Sequence, residues 1–243
     1  MVTRPLNPAA CVILVPAAQY IEPACERGLR QLEAAGYPVW RVFGYAAIDV
    51  ARSHIATRAL REGFDELMWI DADIAFDPAM IDRLRSHNLD LAAGLYAKKG
   101  TQSLACHLLP GDDCLTLGQQ GGLVELLYVG CGFLYTRRPL YDAIQRAAEL
   151  PLCNDRQGDG LVPYFQPLIV PDPAGPLYLG EDYAFCERAR RAGHTIVADT
   201  TIRLYHLGMY PYAWEDAGAP QTRYATYEFH VRRPGAQERP VNG

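Results

Sequence analysis

Residues 67–77, Leu-Met-Trp-Ile-Asp-Ala-Asp-Ile-Ala-Phe-Asp, constrain the fold more than any other stretch of this chain. A short apolar run that ends in a carboxylate reads as a buried strand of an α/β sheet. Asp71 and Asp73 then emerge at the strand's C-terminal end, where open α/β sheets place their ligands. Leaving both carboxylates buried and unpaired would be costly, so a positive partner is expected beside them. A divalent metal is the most useful such partner, because Asp-x-Asp can hold a hard cation whose other ligands are water and substrate phosphates. The other use open to the pair is capping the helix that begins near Pro78.

The rest of the chain supports a sheet of this kind. Cys11–Pro16 reads as a first strand, followed by helical spacing over 22–35 that Gly36 stops. Val39–Phe43 is a second strand, and Asp49–Arg61 a helix with Ile48, Ala51, Ile55 and Ala59 on one face and Gly63 after it. Leu67–Ile70 is the third strand, Pro78–Ser86 a helix with proline in its first turn, and Leu89–Tyr96 a fourth strand. This β-α-β-α-β-α-β order predicts a mostly parallel sheet with helices on both faces. Residues 100–122 read as a loop or small hairpin, and Leu123–Tyr135 as a further apolar stretch. Pro139–Leu150 is a helix. Residues 151–180 carry six prolines and four glycines and are expected to be mostly irregular. Glu181–Arg191 is a helix ended by Gly193, and Thr195–Ala198 and Ile202–Tyr205 are short strands. Residues 1–232 are expected to form a single domain and 233–243 a flexible tail.

Composition narrows the function. With 243 residues, 49% hydrophobic and 21% charged, the chain can bury a sizeable core and is too apolar for disorder. Its net charge of −5 gives no support to nucleic-acid backbone binding, which wants a basic face. Seven cysteines without a CxxC pair indicate neither a disulfide framework nor a zinc ribbon. Reduced thiols and a cytoplasmic location are expected. No apolar run reaches 18 residues, so no membrane span is expected, and residues 9–18 read as a strand, not a signal peptide.

Three further features bear chemistry. Glu181 and Asp182 open a helix. Acids there either cap it or, at a pocket edge, supply a general base. His206 in Leu204-Tyr-His-Leu-Gly208 reads as a packed histidine or a metal ligand. Arg52, Lys98 and Lys99 are solvated surface charges or partners of a diphosphate. No GxSxG elbow, GxGxxG fingerprint or GxxxxGK[ST] loop occurs.

Taken together, these features resemble the GT-A glycosyltransferases, the nucleotide-diphospho-sugar transferase superfamily, over roughly residues 11–208. A first strand ends in Val15-Pro16-Ala17, and Asp49-Val-Ala-Arg-Ser-His-Ile-Ala resembles the family's A-R-N segment. Ile70-Asp-Ala-Asp73 is like the DxD motif, Gly180-Glu-Asp182 opens a helix, and His206 follows on a late strand. The resemblance implies a Rossmann-like, mostly parallel sheet with helices on both faces and a small additional β element. It also implies transfer of a sugar from a UDP- or GDP-linked donor to an acceptor hydroxyl, assisted by Mn²⁺ or Mg²⁺. Asp73 would coordinate the metal with His206 as a second ligand, and Asp71 would contact the metal, ribose or sugar. Pro16, Ala17, Arg52 and Lys98 would surround the nucleotide. Asp182, with Glu181 beside it, would take the acceptor's proton, as in inverting members, and Tyr128–Phe133 would line the acceptor side. The acceptor is a glycan, small molecule or protein.

Ser53 stands where many relatives have Asn, and no QxxRW-type motif is present, so a polymer synthase is not expected. The alternatives are a sugar-phosphate nucleotidyltransferase, a non-catalytic nucleotide- or glycan-binding relative and, since retaining members share DxD, a retaining transferase. The first wants a Gly-rich basic loop after the first strand, which residues 15–22 lack.

Overall fold

The computed structural model describes residues 6–158, 160–208, 211–218 and 226–230. In chain order the elements are β1 (Cys11–Ala17), α1 (Pro23–Ala34), β2 (Val39–Phe43), α2 (Ile48–Arg61), β3 (Glu66–Ile70), β4 (Ile74–Ala75), α3 (Ala79–Ser86) and β5 (Leu91–Ala93). There follow β6 (Cys106–His107), β7 (Cys114–Gly118), β8 (Leu123–Leu126), β9 (Tyr128–Val129), β10 (Phe133–Arg137) and α4 (Arg138–Ala147). The last are β11 (Leu168–Val170), β12 (Leu177–Leu179), α5 (Glu181–Arg191), β13 (Ile196–Asp199), β14 (Tyr205–Leu207), β15 (Pro211–Tyr212) and β16 (Thr226–His230).

Seven strands form the central sheet in the order β2-β1-β3-β10-β5-β13-β8. β1 runs parallel to β2 and β3, and β5 runs parallel to β13. β10 is antiparallel to both β3 and β5, and β8 is antiparallel to β13. Five strands therefore share one direction, as the alternating pattern predicts, and β10 and β8 oppose them.

Strand alternation divides the core into two layers. Val12, Leu14, Leu67 and Trp69 face one side, where α2, α4 and α5 cover them through Ile55, Leu140, Tyr141 and Phe185. Ile13, Val15, Met68 and Ile70 face the other, under Leu29 and Leu32 of α1 and Ile81 and Leu84 of α3. Helices on both faces explain why β1 and β3 read as continuous apolar runs rather than alternating ones. Helices α1, α2 and α5 stop where expected, at Gly36, Gly63 and Gly193, each with φ near +90° (92°, 92° and 88°).

The fourth strand is shorter than the expected Leu89–Tyr96. Gly94 still donates to the Phe133 carbonyl at 3.0 Å, but the chain then leaves the sheet. Leu95, Tyr96 and Ala97 stay buried without being strand, so their apolarity reports burial alone. Leu123–Tyr135 divides into β8, β9 and β10, which pair with four different strands: β8 with β13, β9 with β6, and β10 with β3 and β5. The strand expected at Ile202–Tyr205 lies instead at Tyr205–Leu207, because Ile202 and Leu204 are buried core plugs packed near Gly94. The irregular 151–180 region contains one antiparallel pair, β11 with β12. Polar residues of α2 hold part of it: Thr57 Oγ1 accepts from the Val162 N–H at 2.8 Å and Ser53 Oγ from Phe165 N–H at 3.3 Å. All seven cysteines are free. No helix among the described residues is long and apolar enough to cross a membrane. The boundary expected at residue 232 and the tail 233–243 lie outside the described residues.

Candidate active site

Asp71 is the first residue after β3. Its N–H donates to the Gly132 carbonyl, and its own carbonyl accepts from Ile74 N–H, both at 3.0 Å. The Cys25 thiol donates to the same carbonyl at 3.6 Å. With the backbone held on two sides, the side chain meets α2, where Arg52 Nη2 donates to Asp71 Oδ1 at 2.7 Å. Arg52 is only 2% exposed, so it is no surface charge. Its guanidinium carbon lies 5.6 Å over the Trp69 ring, and its Nε is 3.9 Å from Glu181 Oε1, beyond hydrogen-bond reach. Nε and Nη1 are buried without an acceptor. Burial opposes the charge, but Asp71, Cys131 and Glu181 outweigh it and hold the guanidinium pKa above its ordinary value.

Asp73 has different partners. Its Oδ2 accepts from Lys99 Nζ and lies 3.4 Å from His206 Nε2. A small separate sheet brings the histidine there. β14 pairs antiparallel with β4, setting His206 opposite Ile74, and Leu207 N–H donates to the Asp73 carbonyl at 2.7 Å. His206 Nδ1 is 2.9 Å from the Ala97 carbonyl, and its ring meets Tyr96 edge-on at 5.2 Å. A carbonyl can only accept, so Nδ1 carries a proton and Nε2 faces the carboxylate. Burial alone would raise the Asp73 pKa, but His206 and Lys99 together lower it.

The positive partners expected beside the two acids are thus supplied within the chain, by Arg52 for Asp71 and by Lys99 and His206 for Asp73. The ligand atoms of Asp71, Asp73 and His206 do not all lie within 4.8 Å of one another. Asp73 and His206 nevertheless fit a divalent cation. They offer one oxygen and one nitrogen side by side, and the other ring nitrogen is anchored on a backbone carbonyl, as in histidine metal ligands. Asp71, turned to Arg52, does not join them.

Glu181 and Asp182 open α5 after Gly180. Tyr183 N–H donates to Asp182 Oδ1 at 2.7 Å. Burial, then the neighbouring Glu181, lifts the Asp182 carboxyl to about 6 against the opposing Tyr183 N–H and Arg52, and Asp71 adds to the rise. Tyr96 lies within electrostatic range of both Asp71 and Asp182. Its hydroxyl accepts from Gly132 N–H at 3.0 Å. A Cβ on Gly132 would come within 2.7 Å of that hydroxyl and 2.9 Å of Asp71 Oδ2, so the backbone can back onto this acid only at a glycine.

Pro16 and Ala17 end β1 opposite Val42 and Phe43 of β2. Exposed Tyr20 and Phe43 stand nearby in sequence and register. Lys98 instead places its Nζ 5.5 Å from the Tyr183 ring centre. Tyr183 stacks on Tyr128 at 5.6 Å and meets His107 edge-on at 4.8 Å. A cavity of about 430 Å³ opens along residues 106–112 beside this group. Of Tyr210, Tyr212 and Trp214, whose rings suit either an acceptor platform or packing, Trp214 is buried, donates to the Leu95 carbonyl at 3.3 Å and carries Arg203 over its ring, so it packs. Tyr210 lies outside the described residues.

The structure therefore gathers Arg52, Asp71, Asp73, Glu181, Asp182 and His206 around the C-terminal end of β3. Sequence reasoning missed Tyr96 and the division between Lys98 and Lys99. The only available signal for Tyr96 was its place a few residues beyond β5, at the sheet edge where β3 also ends.

No family model matches this chain, and no curated protein matches it. Among solved structures, the chain is similar to A197 from STIV, with a TM-score of 0.56 at 12% identity over 96% of this chain and 99% of that one. A glycosyltransferase involved in the glycosylation of the major capsid of PBCV-1 aligns with a TM-score of 0.33 at 13% identity, over 57% and 65% of the two chains. CMP:2-keto-3-deoxy-manno-octonic acid synthetase complexed with CTP aligns at 0.37 and 13%, over 77% and 88%. The first likeness establishes a shared α/β fold across nearly the whole of both chains.

Proposed function

We propose that this protein is a glycosyltransferase that moves a sugar from a nucleotide-diphosphate donor to an acceptor hydroxyl with inversion. The observation that carries this reading is the convergence at the end of β3. There Asp73 and His206 stand side by side, and Asp182 is held near pH 6 on the N-terminus of a packed helix. A base with a pKa near the working pH combines the right protonation state with driving force for proton transfer.

In this reading the nucleotide lies against Pro16 and Ala17, with Tyr20 and Phe43 free to contact its base. Asp73 and His206 would hold a divalent cation, which would supply charge compensation to the leaving diphosphate. Lys99, now on Asp73, is close enough to contribute a point charge to the same phosphates. Arg52 holds Asp71 Oδ1, which leaves Oδ2, beside Gly132, as the oxygen that would contact ribose or sugar. The acceptor approaches from the Tyr128–Tyr183 side. Asp182 takes the proton from its hydroxyl as the new glycosidic bond forms and the bond to the diphosphate breaks. A nucleotidyltransferase reading would release pyrophosphate instead and lacks a basic glycine-rich loop after β1.

Thermal unfolding with UDP, GDP, dTDP and CMP, each with and without Mn²⁺, tests donor binding, because a ligand of the native state raises apparent stability. A shift that needs one nucleotide together with the metal is expected, followed by release of the nucleoside diphosphate on turnover. Asp182→Asn is expected to keep that shift while lowering kcat about 10²–10⁴-fold. In the wild type kcat/KM should rise with pH through about 6, as Asp182 loses its proton. A raised carboxyl pKa also makes the charged form a cost in the folded state. The wild type should therefore lose stability between pH 4 and 6, up to about 3 kcal/mol, and Asp182→Asn should not. Unchanged turnover in Asp182→Asn would overturn the base assignment.

A further inference from the structure

A second group of ligand-type side chains lies on the ribbon formed by β7 and β16. Its antiparallel register sets Cys114 directly opposite His230. Glu228 precedes His230 by two residues, so strand alternation puts both on the same face. Cys114 Sγ is 3.8 Å from His230 Nε2, which is in turn 3.9 Å from Glu228 Oε2. All three ligand atoms lie within 4.8 Å of one another, and this is the only such trio of His, Cys, Asp and Glu among the described residues.

We propose that Cys114, Glu228 and His230 form a zinc-type metal site that fastens strand β16 to β7. A tetrahedral centre with Zn–S of about 2.3 Å and Zn–N of about 2.0 Å sets the S···N separation near 3.5 Å. Closing from 3.8 Å takes a few tenths of an ångström. Two side chains are free to make that movement, since Glu228 and His230 are 65% and 68% exposed. One thiolate, one imidazole and one carboxylate suit zinc better than the harder magnesium or calcium, which prefer all-oxygen sets. Asp113 and Glu228 make the surroundings negative, which favours a cation. Because a thiol ligates as the thiolate, binding breaks the S–H bond, forms an S–metal bond and releases one proton to solvent. Three protein ligands leave a fourth position for water. Because the ligands come from both strands, the ion stabilises only the state in which the two are paired. The site shares no residue with the Asp73–His206 pair, so it stands or falls apart from the transferase reading.

The test is titration of the chelator-treated full chain with Co²⁺, following the thiolate-to-cobalt charge-transfer absorption, then bleaching it with Zn²⁺. One equivalent should develop the band. Cys114→Ser should abolish it, and Glu228→Gln and His230→Ala should each weaken Co²⁺ binding at least about tenfold. The double variant Asp73→Ala, His206→Ala should retain the band. Far-UV circular dichroism checks that each variant is folded. Should Cys114→Ser fail to fold, His230→Ala decides the matter, since it keeps every thiol. No band in the wild type overturns the proposal, and so does a band undiminished in folded Cys114→Ser or in His230→Ala, which would assign the signal to other ligands.

Discussion

Asp71 and Asp73 are two residues apart in one motif, yet they belong to different kinds of environment. Asp71 is tied by backbone on both sides and faces a guanidinium that is almost wholly buried. Asp73 meets a half-exposed lysine and a histidine whose other nitrogen is already engaged. In the first pairing the guanidinium is part of the packed core and has little room to change partners, although the carboxylate it holds is partly exposed. The second consists of side chains that can exchange one partner for a ligand without disturbing the core. A carboxylate's usefulness in binding thus depends on how easily its resident partner can leave, beyond how many partners it has.

The comparison breaks most sharply at Asp73. Asp73→Ala is expected to abolish the metal-dependent nucleotide shift and lower turnover by at least about 100-fold, on the scale of losing a group that stabilises developing charge. Its thermal stability should stay within about 1 kcal/mol of wild type, because partly exposed, solvent-screened ion pairs contribute little. Full nucleotide and metal binding in this variant would remove Asp73 from the site.

Arg52→Ala sharpens the contrast from the other side. It removes a buried charged hydrogen-bond donor beneath Asp71, and a loss of about 2–3 kcal/mol in denaturant unfolding is expected. A change below about 0.5 kcal/mol would place the Asp71–Arg52 pair with ordinary surface contacts. Arg52→Lys should recover only part of the loss, since an ammonium cannot reproduce the guanidinium's reach to Asp71 and toward Glu181.

The smallest effect is expected at Lys99. Lys99→Ala should leave stability nearly unchanged, within about 0.5 kcal/mol. It should also tighten divalent-cation binding measured by calorimetry, because a competing positive charge leaves Asp73. Weaker cation binding would show that Lys99 helps to assemble the site instead of sharing it.

Much of this architecture is legible in local sequence. Val39–Phe43 and Glu181–Arg191 have the bounds their patterns predict, and α1, α2 and α5 end at the glycines that read as stops. Local signals suffice there because strand burial, helix amphipathicity and a left-handed C-terminal glycine each act within a few residues. The same signals fail at β10. An apolar strand looks alike whether its neighbours run parallel or antiparallel, so nothing in Phe133–Arg137 announces insertion between β3 and β5. They fail again at Ile202 and Leu204, where burial in the core imitates a strand.

The candidate site divides along the same line. Asp71, Asp73, Asp182, Arg52 and His206 can be picked out by residue type and by position near the ends of predicted elements. Their grouping cannot. Arg52 reads as a surface charge until α2 packs it beneath Asp71. Lys98 and Lys99 are equivalent in sequence, and only the fold turns one toward Tyr183 and the other onto Asp73. Sequence by itself determined the alternating elements, the apolar strands of a two-faced sheet and the chemical groups available at one of its edges. Tertiary structure alone decided which acid is locked and which is exchangeable, which histidine nitrogen is presented, and that Cys114 stands opposite His230. The reason is physical: helix and strand preferences are set by neighbours along the chain, whereas charge pairing, desolvation and ligand geometry are set by atoms brought together from distant positions.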